Sequence, residues 1–253
     1  MSTSSCLLTE MSPSERKDAA GRTGSVAVLP IGATEQHGPH LPVGTDSLIG
    51  KILTDALIKQ RVTEDRFVIA PQLQVSKSTE HLDFHGTLSL NRDLFVRSVT
   101  AAVDQLRKWR FERIALMNTH GGNGPVLRSM IREADARGDG DLLLLDVAPD
   151  LPGVSEREKT YGIHAGEYET SLLLARVPEL CHMQRADTVW IDEGLPHPDL
   201  QPENAPATFA WVTKDLSASG TMGDATAATP QKGEEWVQRA VELILFQLRG
   251  EGG

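Results

Sequence analysis

Apolar positions along the chain keep two alternating rhythms. Short, almost unbroken apolar runs at residues 25–31, 67–70, 114–117 and 142–147 read as strands buried on both faces. Between them the period changes to that of a helix. Leu48, Ile49, Ile52, Leu53, Ala56 and Leu57 mark an amphipathic helix over 47–60. Leu94, Phe95, Val99, Ala102, Val103 and Leu106 mark a second, with Asn91 as its cap. A third is predicted over 125–136 with Pro125 in its first turn, a fourth from near His164 through Ala175, and a last over 231–249. Strand and helix thus alternate at least four times, which predicts an α/β fold with a mostly parallel sheet covered by helices on both faces. Residues 1–24 are polar and form an arm, held loosely or as a short helix, and residues 25–253 read as one domain. The pattern weakens over 178–229, rich in Pro, Gly, Asp and Thr, where a strand is expected at 209–213. No internal repeat is visible.

Such sheets bind their ligands beyond the carboxyl ends of the strands. The loops after the first three strands are where this chain concentrates histidine and carboxylate. Residues 31–46 carry Glu35, His37, His40 and Asp46 among three glycines and two prolines; residues 72–90 carry Glu80, His81 and His85; His120 sits in Asn118-Thr119-His120-Gly121-Gly122-Asn123. The topology should bring these loops to one edge. Histidine with Asp and Glu is the donor set of a divalent metal with nitrogen and oxygen ligands. Taken singly, Glu35 and Asp46 serve equally well as helix caps, and His37 and His120 as ordinary loop residues. Taken together, a metal centre accounts for all four. Two ions about 3.5–4 Å apart can share a carboxylate and a water, which they activate as hydroxide.

Composition narrows the classes. A chain of 253 residues can bury one large core, and 40% apolar with 24% charged residues is the balance of a soluble globular protein. A net charge of −10 argues against a nucleic-acid partner. The two cysteines, Cys6 and Cys181, form no paired metal motif and no disulfide framework, so a reducing cytoplasm is the expected compartment. No basic-then-apolar leader and no apolar run of about 18–20 residues is present, and no membrane partner is expected.

Four ordered motifs carry a resemblance. Thr34-Glu35-Gln36-His37-Gly38-Pro39-His40-Leu41-Pro42, then Gly44-Thr45-Asp46, then residues 118–123, then His164-Ala165-Gly166 with Glu169-Thr170-Ser171 resemble the creatininase (creatinine amidohydrolase) family, over about residues 25–248. The resemblance implies a three-layer α/β/α sandwich, two divalent ions per subunit (zinc, manganese or iron), and a homo-oligomer, often a hexamer. It implies that Glu35, Asp46 and His120 hold one ion and that His37 and Asp46 hold the second, with Asp46 bridging. His164 would be the general acid/base that protonates the leaving nitrogen.

The departures bear on substrate. In creatininase proper, the histidine matching His120 is followed by a tyrosine and a glutamate that ligates the second ion. Here those positions are Gly121 and Gly122, so the second ion needs another carboxylate. Glu169 is the candidate. Glu167 is its rival, because in a helix that includes His164 it shares that residue's face, whereas Glu169 lies about 140° away. The glutamate that precedes the matching histidine is Ile163 here, and the substrate-binding tryptophan has no counterpart near Thr160 and Tyr161. Creatinine is therefore not the expected substrate. Glu80, His81, Gly121, Gly122 and Tyr161 are candidate substrate contacts, although Glu80 and His81 would serve equally as an ion pair bracing their loop. His85 is a candidate specificity residue, and His40 a brace or a substrate contact. His182 and His197 are expected at the surface, and Trp211 in the pocket, a subunit contact or the core. The implied activity is hydrolysis of a C–N bond in a small or cyclic amide by a metal-bridging hydroxide. The family also implies deformylation of a formylamino-pyrimidine, peptide trimming in cofactor biosynthesis, or C–C hydrolysis of a keto-inositol. A non-catalytic metal- or ligand-binding module is the reading from outside enzymology.

Overall fold

Strand β1 (Val26–Ile31) is buried along its whole length, and the rest of the molecule is layered around it. The computed structural model describes residues 5–136, 138–194, 202 and 208–250. Strand β1 pairs in parallel with β2 (Phe67–Ile69) on one side and with β3 (Arg113–Asn118) on the other, and β4 (Leu142–Leu144) adds to β3, also in parallel. The order is β2-β1-β3-β4.

Alternation along β1 divides its side chains between two cores, because successive residues of a strand face opposite ways. Val26 and Val28 face one core with α2 (Thr45–Gln60), α6 (Glu167–Arg176) and α8 (Pro230–Arg249), centred on the fully buried Leu53, Leu172 and Trp236. Ala27, Leu29 and Ile31 face the other with α3 (Arg92–Lys108) and α4 (Gly124–Ala136), around Phe95, Val99 and Leu127. Each fully buried Leu, Ile or Phe side chain contributes about 1.5–3 kcal/mol of transfer free energy, so the two cores dominate the fold's stability. This is the three-layer α/β/α sandwich that the alternation predicts.

Most element ends lie within one or two residues of expectation. The Asn91 side chain accepts from Leu94 N, as a cap should. The N-terminal arm is tied down: Ser12 and Glu15 form a capping box for α1 (Pro13–Ala20), and Cys6 is buried with its carbonyl accepting from Ile69 N at 2.7 Å. Both cysteines are free. Among the described residues no helix is long and apolar enough to cross a membrane.

Three expectations are corrected. The strand predicted over 142–147 stops at Leu144, the last residue in register with β3, with one further hydrogen bond from Leu145 N to the Leu116 carbonyl at 2.9 Å. No strand forms at 209–213; Thr213 instead opens the short helix α7 (Thr213–Leu216), and the second sheet is the antiparallel pair β5 (Thr188–Val189) and β6 (Gly223–Asp224). The helix expected from His164 begins at Glu167. Helix α5 (Glu156–Tyr161) ends before His164, which lies in an extended segment bridged to Met222.

Candidate metal centre

Three elements end at the carboxyl edge of the sheet and deliver the candidate residues. The loop after β1 brings Glu35 and His37, and the first turn of α2 presents Asp46 back toward them. His120 follows β3, its backbone extended just ahead of the 3-10 turn Gly121–Asn123. A hydrogen bond from Thr119 Oγ1 to the Asp46 carbonyl, at 2.7 Å, ties the third loop to α2. Asn123 joins the second loop to the third: its amide donates to Ser76 Oγ at 3.0 Å and its oxygen accepts from Lys77 N at 3.3 Å.

These side chains converge. His120 Nδ1 lies 3.2 Å from Glu35 Oε1 and 3.4 Å from Asp46 Oδ2, and His37 Nε2 lies 3.3 Å from Asp46 Oδ1 and 3.8 Å from Glu169 Oε2. Three sets have ligand atoms close enough to hold an ion: Glu35 with Asp46 and His120, His37 with Asp46 and Glu169, and Glu35 with His37 and His164. Glu35 Oε1, His37 Nε2 and Asp46 Oδ2 are fully buried without a hydrogen-bond partner. Leaving such atoms unsatisfied costs about 1–3 kcal/mol each, more when charged. A divalent cation is the group that would satisfy two carboxylate oxygens and an imidazole nitrogen at once, so the donor set fits a metal.

Carboxylates and imidazoles in the cluster shift one another strongly. Burial opposes the Glu35 carboxylate, yet His120, then His81 and His164, hold it well below the ordinary carboxylate range. Burial likewise opposes charge on His37 and His120, but Asp46 and Glu169 raise the first, and Glu35 with Glu80 raises the second, well above 6.5. Asp46 is lifted by burial, with Glu35 beside it, to about 6. The metal-free cluster thus keeps protons on imidazoles that a cation would have to displace.

Glu169 and Glu167 separate cleanly. Glu167 forms an ion pair with Lys232, while its backbone N–H donates to Glu158. Glu169, two residues further along α6 and so about 160° around it from Glu167, reaches the cluster because the helix starts three residues after His164; the shared-face argument for Glu167 therefore falls away. Ala165 N donates to Glu169 Oε2 at 2.6 Å, and despite burial His37 lowers this carboxyl to about 2.

His164 is 6% exposed and packs against His37 and His81, in tilted ring pairs with centroids 4.3 and 4.2 Å away. Its Nε2–H donates a hydrogen bond to the Gln36 carbonyl at 2.7 Å, and its Nδ1 lies 3.7 Å from Glu35 Oε1. Burial, then His37 and His81, push its pKa down to about 3 in the metal-free cluster.

The remaining candidates divide. His81 is part of the cluster, its Nε2 3.4 Å from Glu35 Oε1 and its Nδ1 2.9 Å from both Gln36 Nε2 and Thr213 Oγ1; burial lowers its pKa to about 4. Glu80 lies behind His120, 3.5 Å from Nε2, and is paired with Lys77 at 2.6 Å. Gly121 is exposed at the rim and Gly122 half-buried beneath Glu80. Tyr161 ends α5, half-buried, with no hydrogen bond to the cluster. His40 is fully buried and bonded to Thr170 Oγ1 at 2.9 Å, the bracing arrangement. His85 is exposed; His182 is exposed as expected, with its backbone N–H on the His40 carbonyl, and Trp211 is half-buried. His197 lies outside the described residues.

Sequence reasoning missed Ser78, Gln36 and Thr213. Ser78 Oγ donates to Glu35 Oε2 in a short hydrogen bond and so turns Oε1 toward the histidines. Gln36 Oε1 accepts from Gly38 N at 2.9 Å, which aims its amide nitrogen at His81 Nδ1. The place of Gln36 between two candidate ligands was the one available signal. Thr213 arrives from a distant segment, and nothing local announces it.

The family model described as "Creatininase: Creatinine amidohydrolase" matches residues 9–247. The "Mycofactocin precursor peptide peptidase" of Mycobacterium ulcerans (strain Agy99) is 30% identical over 235 residues, covering 89% of this chain and 87% of that protein. The "Creatinine amidohydrolase" of Pseudomonas putida is 28% identical over 263 residues, covering 94% and 93%. A solved creatininase bearing a tryptophan-to-phenylalanine change superposes with a TM-score of 0.75 at 25% identity, over 98% of this chain and 99% of that one. The chain belongs to the creatininase family of metal-dependent amidohydrolases.

Proposed function

We propose that this protein is a dinuclear hydrolase that cleaves a C–N bond, with Glu35, Asp46 and His120 holding one divalent ion and His37, Asp46 and Glu169 the other. The observation that carries the reading is Asp46, whose two oxygens face different histidines: Oδ1 toward His37 and Oδ2 toward His120. One carboxylate shared by two donor sets is what a bridging ligand requires. Zinc, manganese or iron(II) bound there would lower the pKa of a water and polarise a carbonyl.

The chain's own part is positional and acid–base. Ser78 holds Glu35 in the orientation that aims Oε1 at the cluster, and the Ala165 N–H does the same for Glu169. His164 donates a hydrogen bond from Nε2–H to the Gln36 carbonyl, which leaves Nδ1 as the basic atom facing the site. Nδ1 would take the proton released during attack and return it to the leaving nitrogen. The depth of the cluster excludes bulk water and strengthens each of these contacts.

The substrate is an amide other than creatinine. Relatives named as precursor-peptide peptidases, at 30% identity, favour the end of a short peptide as the carrier of that amide. The metal-loaded protein should contain two equivalents of Zn²⁺ or Mn²⁺ per chain, and a panel of short peptides, formylamino-pyrimidines and cyclic amides should yield a C–N product that a chelator abolishes. One equivalent or none in the active protein would sink the dinuclear reading. Turnover of only a keto-inositol would sink the C–N assignment.

A further inference from the structure

The imidazole of His120 has two working nitrogens, and they face different partners. Nδ1 points toward Glu35 and Asp46. Nε2, on the far side of the ring, lies 2.9 Å from the Lys77 carbonyl and 3.5 Å from Glu80 Oε1. The Glu80 carboxylate is itself anchored: Oε2 accepts from Lys77 Nζ at 2.6 Å and from Thr79 Oγ1 at 3.3 Å. It occupies room that exists only because residue 122 is glycine. A Cβ at Gly122 would overlap Glu80 Oε1 outright and come within 2.6 Å of His120 Nε2 and 2.9 Å of its Cε1. Glu80 sits outside all three donor sets, so it is placed to act on the ring and not on an ion.

We infer that Glu80 is a positioning residue for the metal centre: with the Lys77 carbonyl it holds the His120 ring in the tautomer that leaves Nδ1 free to bind, and Gly122 is what makes the space for it. Partners of this kind on the non-ligating nitrogen of a metal-binding histidine fix ring orientation and raise ligand basicity, and their loss costs about 10–100-fold in affinity or activity. The inference rests on the assignment of His120 as a ligand. It moves Glu80 from a candidate substrate contact to the support of the centre, and it explains why the segment after His120 carries no side chain at position 122.

Zn²⁺ alone is a sufficient probe. Its affinity for the metal-free full chain is measured by competition with a chromophoric chelator, for wild type, Glu80→Gln, Gly122→Ala and the double variant. Each single variant should bind Zn²⁺ at least about tenfold more weakly. The double variant should be no worse than the weaker single, because both changes disturb one contact. The visible spectrum of the Co²⁺-loaded protein should shift in both singles. A merely structural role would lower the melting temperature, add in the double variant and leave the Co²⁺ bands in place. If Gly122→Ala does not fold, Glu80→Gln carries the test. Wild-type Zn²⁺ affinity and an unchanged Co²⁺ spectrum in folded Glu80→Gln would overturn the inference. A wild type that binds no Zn²⁺ would overturn the metal-centre reading beneath it.

Discussion

His164 and Met222 are joined by two backbone hydrogen bonds, His164 N to the Met222 carbonyl at 3.2 Å and Met222 N to the His164 carbonyl at 2.8 Å. This bridge, with no helix to help it, sets where the imidazole stands. Glu158 secures its flanks: one buried carboxylate accepts from Glu167 N at 2.7 Å and from Asp224 N at 2.8 Å. Burial raises the Glu158 pKa while the two N–H donors pull it down. Glu158→Gln would set an amide NH₂ against a backbone donor and should cost about 1–3 kcal/mol. For a chain of this size that lowers the melting temperature by about 2–4 °C per kcal/mol, as calorimetry would read. An unchanged melting temperature would mean the clamp contributes nothing.

His164→Ala tests the proton relay. Removing the imidazole removes the proposed proton carrier, so the rate should fall about 10²–10⁴-fold while bound metal stays at the wild-type level. Full rate with full metal would remove His164 from the chemistry. Lost metal would instead make it a ligand, through the Glu35–His37–His164 set.

His120→Ala takes one nitrogen from the donor set that includes Glu35 and Asp46. Metal analysis after dialysis should show at least one equivalent missing and turnover lost with it, and circular dichroism should show the fold retained. Turnover that survives would refute the ligand assignment.

Acid should strip the site. His37 and His120 are held protonated well above pH 6.5 in the metal-free protein, so binding must displace those protons. As pH falls, protonation wins, and apparent Zn²⁺ affinity should drop about tenfold per pH unit for each proton displaced. Titrations between pH 6 and 8 that release no protons and give one constant affinity would contradict this.

Gly233 lies where α8 meets α6 backbone to backbone. A Cβ there would overlap the Ser171 carbonyl and lie 2.9 Å from the Ala175 Cβ. Gly233→Ala, though favoured by helix propensity, should destabilise by about 1–3 kcal/mol from overpacking. Denaturant unfolding would show it, and a stabilised variant would mean the two helices separate at little cost.

Local pattern made much of this protein legible. Unbroken apolar runs named the parallel strands, because both faces of β1 and β3 are covered, and helical spacing named α2, α3, α4 and α8. The glycine-rich histidine and carboxylate motifs drew attention to Glu35, His37, Asp46 and His120, since those residue types crowd after strand ends. The strand expected at 209–213 failed because pairing partners, not local propensity, decide a short strand. The helix start was misplaced because nothing in His164-Ala165-Gly166 reveals that its backbone bonds run to Met222.

The sequence by itself determined the layers and the donor chemistry, for both follow from residue type and period along a few neighbouring positions. Only the tertiary structure decided that Glu169 and not Glu167 reaches the cluster, that Ser78 and Gln36 aim its members, and that Glu80 stands behind His120. Those outcomes depend on side chains meeting across tens to more than a hundred residues, and such meetings leave no trace in local spacing.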